Sequence, residues 1–319
     1  MILAECIPNV SEGRRRQVID RLAGAFDESD DVALLHVHPD VDHNRTVLTA
    51  VGAPEALLDA AAELYARAVE AIDIRRHQGV HPRIGAVDVC PFVPLEGHGT
   101  SMAECVELAR RLGERVARRF GLPVFLYREA ASAPHRRDLS AIRRGQFEGL
   151  EAKLADPAWQ PDFGPAAAHA SAGATVIGAR GPLIAFNVVL DSDDLAAARG
   201  IAARVRASSG GLPGIKAMGV ALGSRQRVQV SMNVEDPAVT PLHVAYEAVR
   251  AAAAERGLQV LESELVGLAP LDSVAAAAGD SLGLVDFGPD RILEHAIQDS
   301  RAGERAAKGS MRRSPKNQP

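Results

Sequence analysis

The chain has 319 residues, 47% of them hydrophobic, with 36 Lys and Arg against 41 Asp and Glu and a formal net charge of −5. That length predicts two packed domains, and the acidic balance, with one Trp, three Tyr and eight Phe, gives neither a basic field nor an aromatic platform for nucleic acid. No apolar run nears the roughly 18 residues that cross a bilayer, no export signal precedes the first strand, and three scattered cysteines fit neither a disulfide framework nor a zinc ribbon, so a cytoplasmic protein without nucleic-acid or membrane partners is expected.

Residues 2–8 read as a short strand, and Asn9-Val10-Ser11-Glu12-Gly13 as a polar turn. Val18, Ile19, Leu22, Ala25 and Phe26 recur at helical spacing and predict a helix over 15–26. Strands are predicted at 32–38 and 45–51, a helix behind Pro54 through Ala71, and a strand at 84–93. The order strand, helix, strand, strand, helix, strand predicts an antiparallel sheet with both helices on one face. Residues 101–154 read as an extension, opened by a Ser101/Glu104 capping box and holding a short strand at 123–127.

The same order then returns: strand 183–190, helix 193–208, strand 215–222, strand 228–233, helix 241–255 and strand 260–268. The fold class expected is therefore α+β, in two βαββαβ subdomains spanning 1–178 and 179–299, with a basic, apolar-poor tail over 300–319 predicted to be disordered. Such a repeat leaves each sheet one open face, and pairing those faces makes a ligand groove.

The densest polar function lies in 75–83, just before the apolar strand at 84. Pro82 fixes its own φ and biases His81 toward extended backbone, so His81 is held at a strand mouth. An imidazole titrating near ~6.5 both accepts and donates protons in the cell, although a strand-capping histidine is the plainer alternative.

A second cluster, His36 to Arg45, places His36 and His38 on one strand face with His43 beyond, which resembles a metallo-hydrolase signature carrying two extra residues before its last histidine. That insertion argues against a metal, and none is expected. Asn44, Arg45 and Thr46, joined by Arg83, form a set suited to a carboxylate substrate, because guanidinium groups bind carboxylates bidentately, and Asp40 or Asp88 is a candidate orienting or amidinium-stabilising carboxylate. Residues 161–173 read as a small-residue linker between the domains, able to lie against a flat ring.

These segments together resemble the formiminotransferase family nearly end to end. The pieces that carry the resemblance are Glu5-Cys6-Ile7-Pro8-Asn9-Val10-Ser11-Glu12-Gly13, Asn44-Arg45-Thr46-Val47, His81-Pro82-Arg83 through Asp88-Val89-Cys90-Pro91-Phe92, Pro161-Asp162-Phe163-Gly164-Pro165 and Leu183-Ile184-Ala185-Phe186-Asn187. The resemblance implies two ferredoxin-like subdomains, a homodimer, and a folate groove. It also implies transfer of formimidoyl from N-formimidoyl-L-glutamate to N5 of tetrahydrofolate as co-substrate, a step of histidine degradation. It puts the catalytic histidine on His81 and the folate contacts on Gly164, Pro165, Ala166, Ala167, Ala168, His169, Ala170, Ser171, Ala172 and Gly173. Val80 stands where the family often carries glutamate, Ala172 where it carries an aromatic residue, and His169 where it carries an apolar one. The cyclodeaminase domain fused to some members is not expected here. Three rival readings remain: a formyltransferase yielding 5-formyltetrahydrofolate, a metallo-hydrolase built on His36, His38 and His43, and a folate-sensing protein without turnover.

Overall fold

A computed structural model describes residues 2–95, 97 and 99–284; the predicted tail at 300–319 and the last part of the 179–299 unit lie outside the described residues. The elements in chain order begin β1 (Ala4–Cys6), β2 (Asn9–Val10), α1 (Arg16–Ala23), β3 (Val32–Asp40), β4 (Arg45–Gly52), α2 (Pro54–Ala71) and β5 (Val87–Pro94). They continue α3 (Met102–Phe120), β6 (Val124–Arg128), α4 (Leu139–Arg143), α5 (Leu150–Ala155) and β7 (Thr175–Ala179). The remainder is β8 (Ile184–Leu190), α6 (Leu195–Val205), β9 (Ile215–Leu222), β10 (Arg227–Val234), α7 (Leu242–Ala254), β11 (Val260–Val266) and α8 (Leu271–Leu282).

β1 and β2 are two halves of one line of chain, both antiparallel to β4 and to β5. The break falls at Pro8, which has no N–H to give a ladder. The neighbours close round it, Ile7 N donating to Pro91 O at 3.0 Å and Leu48 N to Pro8 O at 3.0 Å. Asn9 and Val10 therefore continue a strand where the sequence pattern predicts a turn.

The first sheet runs β3-β4-(β1, β2)-β5-β7-β6, with β7 parallel to both its neighbours. β7 alters the expected organisation. The small-residue stretch 161–173 is not a connector between domains but part of the crossover from β6 back into the same sheet, and the two sheets are joined by the few residues between Ala179 and Ile184.

Alternation along the strands assigns the two faces. Val124, Leu126, Ile177, Cys90 and Phe92 enter the core beneath α1, α2 and α3. Phe125, Tyr127, Val176 and Val89 enter a second core closed by Ile142 of α4 and by Leu150 and Leu154 of α5. The open face of the first sheet is thus partly covered at its β6 edge, a layer that helical periodicity alone does not place. α3 starts at the predicted capping box and stops at Gly121, whose φ of +66° reverses the chain.

The second sheet has the order β11-β8-β10-β9, all antiparallel. Ile184, Phe186, Val188 and Leu190 pack with Ile201 of α6 and Val249 of α7, while Ala185 and Asn187 between them point the other way. Those opposite residues, with Lys216, Met218, Ser231 and Asn233, face the open side of the first sheet across a cavity of about 900 Å³. Among the described residues no helix is long and apolar enough to cross a membrane.

Candidate active site

The first sheet contributes Glu5, Ile7 and Asn9 to the cavity as alternate residues along β1 and β2, with Val47 and Thr49 of β4 and Val89 of β5 beside them. The loop before β5 brings in His81 and Pro82, and the β3–β4 hairpin brings in Asp40 from the end of β3, His43 from the connection and Arg45 from the start of β4. A volume of this size suits a drug-sized ligand rather than a single small ion.

The His81 loop is held from behind. Ala86 N donates to Ala172 O at 2.9 Å and Ala174 N to Ile84 O at 3.0 Å, so residues 172–174 form a short backbone ladder with 84–86. Gly85 is required there, since a Cβ would lie 1.8 Å from Ala174 O. This pairing takes the first three residues of the predicted strand 84–93 away from the sheet. Of the segment Gly164 to Gly173, Ala172 and Gly173 therefore lie behind the loop while Gly164 lies against Leu122 and Pro123, and none of the ten lines the cavity; Gly164 to Ala167 are exposed.

His81 Nδ1 is 2.8 Å from Pro82 O and 2.6 Å from Arg45 Nη1, and its Nε2 is 3.3 Å from the same guanidinium nitrogen. A carbonyl only accepts and a guanidinium only donates, so the two contacts at Nδ1 belong to alternative tautomers. With the proton on Nδ1 the ring donates to Pro82 and Nε2 faces Arg45; with the proton on Nε2, Nδ1 accepts from Arg45. Both neutral forms are served, and the imidazolium is not. Burial first, then the charges of Arg45 and Arg143 and the neighbouring His43, hold the His81 pKa well below its usual value. His81 is an imidazole kept neutral, with a lone pair to use.

Arg45 is itself fixed. Its Nε donates to Asn9 Oδ1 at 2.9 Å, and its Nη1 reaches Asp88 Oδ2 at 3.3 Å. Arg143 of α4 also donates to Asp88 Oδ2, and Ile84 N donates to Asp88 Oδ1 at 2.9 Å. Two guanidinium groups on one buried carboxylate leave a net positive charge beside His81. Burial and the repulsion of Arg143 lower the Arg45 pKa to about 9, so it stays charged at neutral pH. Arg143 lies in the 101–154 extension, where no motif marks it.

Asp40 and His43 form a closed pair. Asp40 Oδ1 accepts from His43 N and Oδ2 from His43 Nδ1, each at 2.7 Å. Burial works against the charged form of Asp40, yet the His43 ring and the backbone N–H groups of His43 and Asp42 carry its pKa below the usual value. His43 and His81 meet edge to face with ring centroids 5.7 Å apart, and His43 Nε2 is 3.3 Å from the Gln229 amide of β10.

The other predicted binding residues are structural props. Asn44, at φ +48°, accepts from Gly13 N at 2.9 Å and donates to Gln78 O at 3.0 Å, which uses both ends of its amide inside the protein. Arg83 makes a two-pronged pair with Glu148 at 2.6 and 2.7 Å and donates to His77 Nδ1 at 3.1 Å. Neither lines the cavity. The carboxylate clamp read from sequence at Asn44 and Arg83 therefore folds inward as scaffold, while Asp40 and Arg45 stay on the wall.

The histidines of the metal reading disperse. His38 Nε2 pairs with Glu264 of β11 at 3.2 Å, His43 is taken by Asp40 and Gln229, and His36 lies against His38 with centroids 5.8 Å apart. Among the described residues no group of three or more His, Cys, Asp or Glu is arranged to hold a metal ion.

Polar pairs tie the two sheets together around the cavity. His38–Glu264, His43–Gln229 and Asp42–Ser224, the last at 2.9 Å from Ser224 N, stand on one side. Arg128–Glu235 and Lys216–Asp138, the latter at 2.6 Å, stand on the other. These cross-sheet partners are 78 or more positions apart in sequence, so no local spacing announces them.

Comparison with known proteins fits this geometry. Residues 3–180 match the family model for the formiminotransferase domain, N-terminal subdomain, and residues 185–281 match that for the formiminotransferase domain. A glutamate formimidoyltransferase of Streptococcus pyogenes serotype M1 is 43% identical over 92% of this chain and 98% of its own length. One from Thermoplasma acidophilum is 44% identical over 93% of this chain and 98% of its own. The formimidoyltransferase-cyclodeaminase of Rattus norvegicus is 41% identical over 93% of this chain but only 60% of its own length.

Proposed function

The chain belongs to the formiminotransferase family, and from that membership and the cavity we propose that it is a glutamate formimidoyltransferase, moving the formimidoyl group of N-formimidoyl-L-glutamate to N5 of tetrahydrofolate. The observation that carries this reading is the neutral His81 on the wall of a ligand-sized cavity, in a chain 43% identical to a glutamate formimidoyltransferase along almost its whole length.

The chemistry asks for proton transfer and placement. N5 of the folate attacks the amidine carbon, a carbon–nitrogen bond forms, and a tetrahedral intermediate results. N5 must then lose its proton, and the glutamate nitrogen must gain one as its bond to carbon breaks. The net change is one proton moved from N5 to the leaving nitrogen, so a single imidazole balances the reaction. His81 has the lone pair to take the first proton, and the Arg45–Asp88–Arg143 cluster beside it favours returning that proton over keeping it. Arg45, with its net-positive surroundings, is the candidate contact for a substrate carboxylate.

Several finer features belong to the same reading. Both units are ferredoxin-like, supported by the βαββαβ order and by the strand order of the second sheet, with their junction next to the end of β7 at Ala179. Gly164 to Gly173 are the folate-contacting segment that the family resemblance implies, and Ala172 at its end also braces the chain after His81. The protein acts as a homodimer in the cytoplasm, in histidine degradation.

Incubation with tetrahydrofolate and N-formimidoylglutamate, followed by absorbance of 5-formimidoyltetrahydrofolate, tests the reading. Wild type should turn over and His81→Ala should lose roughly 10²–10⁴-fold in kcat. N-formylglutamate serves as the competing donor. Equal or greater turnover with it, or full activity in His81→Ala, defeats the assignment.

A further inference from the structure

One imidazole is enough for the proton balance, yet the cavity wall holds two. His43 and His81 come from different loops, line the same cavity and touch edge to face at 5.7 Å. His43 is not a loose surface ring: its side chain is 8% exposed, and both Asp40 oxygens are spent on it, one on its backbone N–H and one on Nδ1, each at 2.7 Å. That double contact fixes the ring plane and the proton on Nδ1, which leaves Nε2 as the working atom.

What stands at Nε2 matters. The Gln229 side chain of β10 is buried, 2% exposed, and its amide lies 3.3 Å from His43 Nε2. An amide carries a donor and an acceptor on one rotatable end. Turned one way it donates to the lone pair of a neutral imidazole, and turned the other way its oxygen accepts from an imidazolium. Gln229 thus serves both protonation states of His43, which a carbonyl or an ammonium does not. Asp40, meanwhile, supplies the negative charge that an imidazolium at His43 needs. The environment of His81 is the reverse, with Arg45 as its nearest charged neighbour.

We infer that His43 is a second proton-handling residue of the transfer, giving the departing glutamate nitrogen its proton while His81 takes the proton from N5. The inference rests on the reaction assigned above. In the balanced step His43 begins protonated on both nitrogens and His81 neutral. N5 passes its proton to His81, the new carbon–nitrogen bond having formed; Nε2–H of His43 passes its proton to the glutamate nitrogen as the old carbon–nitrogen bond breaks. His81 ends protonated and His43 neutral, and transfer of that proton from one ring to the other resets the pair. The charged and titratable groups facing the two rings are Asp40 at the end of β3, Arg45 of β4 and Arg143 of α4; the Gln229 amide of β10 is neutral.

The test is kcat and KM against pH for wild type, His43→Gln and Asp40→Asn, with N-formimidoylglutamate and tetrahydrofolate. Wild type should show two limbs in kcat. His43→Gln should lose the alkaline limb, which reports the proton donor, and drop kcat by about 10²-fold with KM within about fivefold. Asp40→Asn keeps the packing and should shift the same limb toward acid, so it decides the question should His43→Gln fail to fold. A merely structural His43 predicts a lower melting temperature or a higher KM with both limbs in place, and that result overturns the inference while leaving the function intact. A wild type with no turnover on this donor overturns the assigned reaction, and the role of His43 with it.

Discussion

Arg45 and Arg143 reach the same oxygen of Asp88, one from β4 and the other from α4, and the Asp88 carboxylate is 1% exposed. A buried anion shared by two cations is costly to lose from either side, because its removal leaves like charges facing each other without water. Asp88→Asn is nearly isosteric and still offers an oxygen to Ile84 N. Even so, it should lower unfolding free energy by about 3–5 kcal/mol, read as a drop in the urea midpoint at constant m. A midpoint within error of wild type contradicts the two-cation account.

Stability should depend on pH through three histidines, His81 and His77 of one sign and His38 of the other. The His81 pKa is depressed by burial and by Arg45, so as pH falls below its unfolded value near ~6.5 the unfolded chain takes up the proton first, and stability declines. His77, depressed mainly by burial, adds to the same acid-side loss. His38 behaves the other way: its hydrogen bond to Glu264 raises its pKa, so its contribution is full below ~6.5 and fades as pH rises through the higher folded value. Glu264 is 42% exposed, and solvent screening keeps that contribution small. Thermal melts of His38→Asn should therefore lack the alkaline-side decline of wild type, and melts of His81→Asn should lack part of the acid-side one. A His38→Asn profile parallel to wild type as pH rises above ~6.5 is the result that counts against this.

Asn44 joins three segments, accepting from Gly13, donating to Gln78 and offering its own carbonyl to His77 Nε2 at 2.7 Å. Asn44→Ala orphans a buried N–H and a carbonyl and places alanine at φ +48°, for a total of roughly 2–4 kcal/mol. Because the amide does not face the cavity, KM for the glutamate donor should stay within about threefold at temperatures where the variant is folded. A tenfold rise in KM would instead restore Asn44 to the substrate site.

The contrast between Asn44 and Arg45 shows where sequence reading ends. Alternation, capping residues and the repeated strand–helix order made the α+β class and most elements legible, since each is a property of neighbours in the chain. The burial of β7 was hidden because Thr175-Val176-Ile177-Gly178-Ala179 follows a run of small residues and shows no period of its own. His81 was legible from Pro82 and the strand behind it. The groups that complete its surroundings were not, since Arg143 on Asp88, Gln229 on His43 and Glu264 on His38 are brought close only by packing of α4 and of the second sheet. The Asp40-x-x-His43 spacing is itself the signal of a local pair, since both oxygens of Asp40 reach His43 three residues on.

The two imidazole-bearing loops are locked together by a missing side chain. A Cβ on Gly79 would lie 2.1 Å from the carbonyl oxygen of His43 and 3.0 Å from His77 Cε1, while Val80 N already donates to Asp42 O at 3.2 Å. The first clash is with backbone, so Gly79→Ala has to part the loop of His81 from the loop of His43. Displacement of about 1 Å between reacting groups costs on the order of 10²-fold in rate, so kcat should fall at least tenfold. Gly257→Ala is the matched control: its φ is +69°, but nothing lies within 4 Å of the added carbon, and only backbone strain of about 1 kcal/mol is expected. If the two variants lose stability alike and Gly79→Ala keeps wild-type kcat, the spacing of the two rings does not govern the reaction.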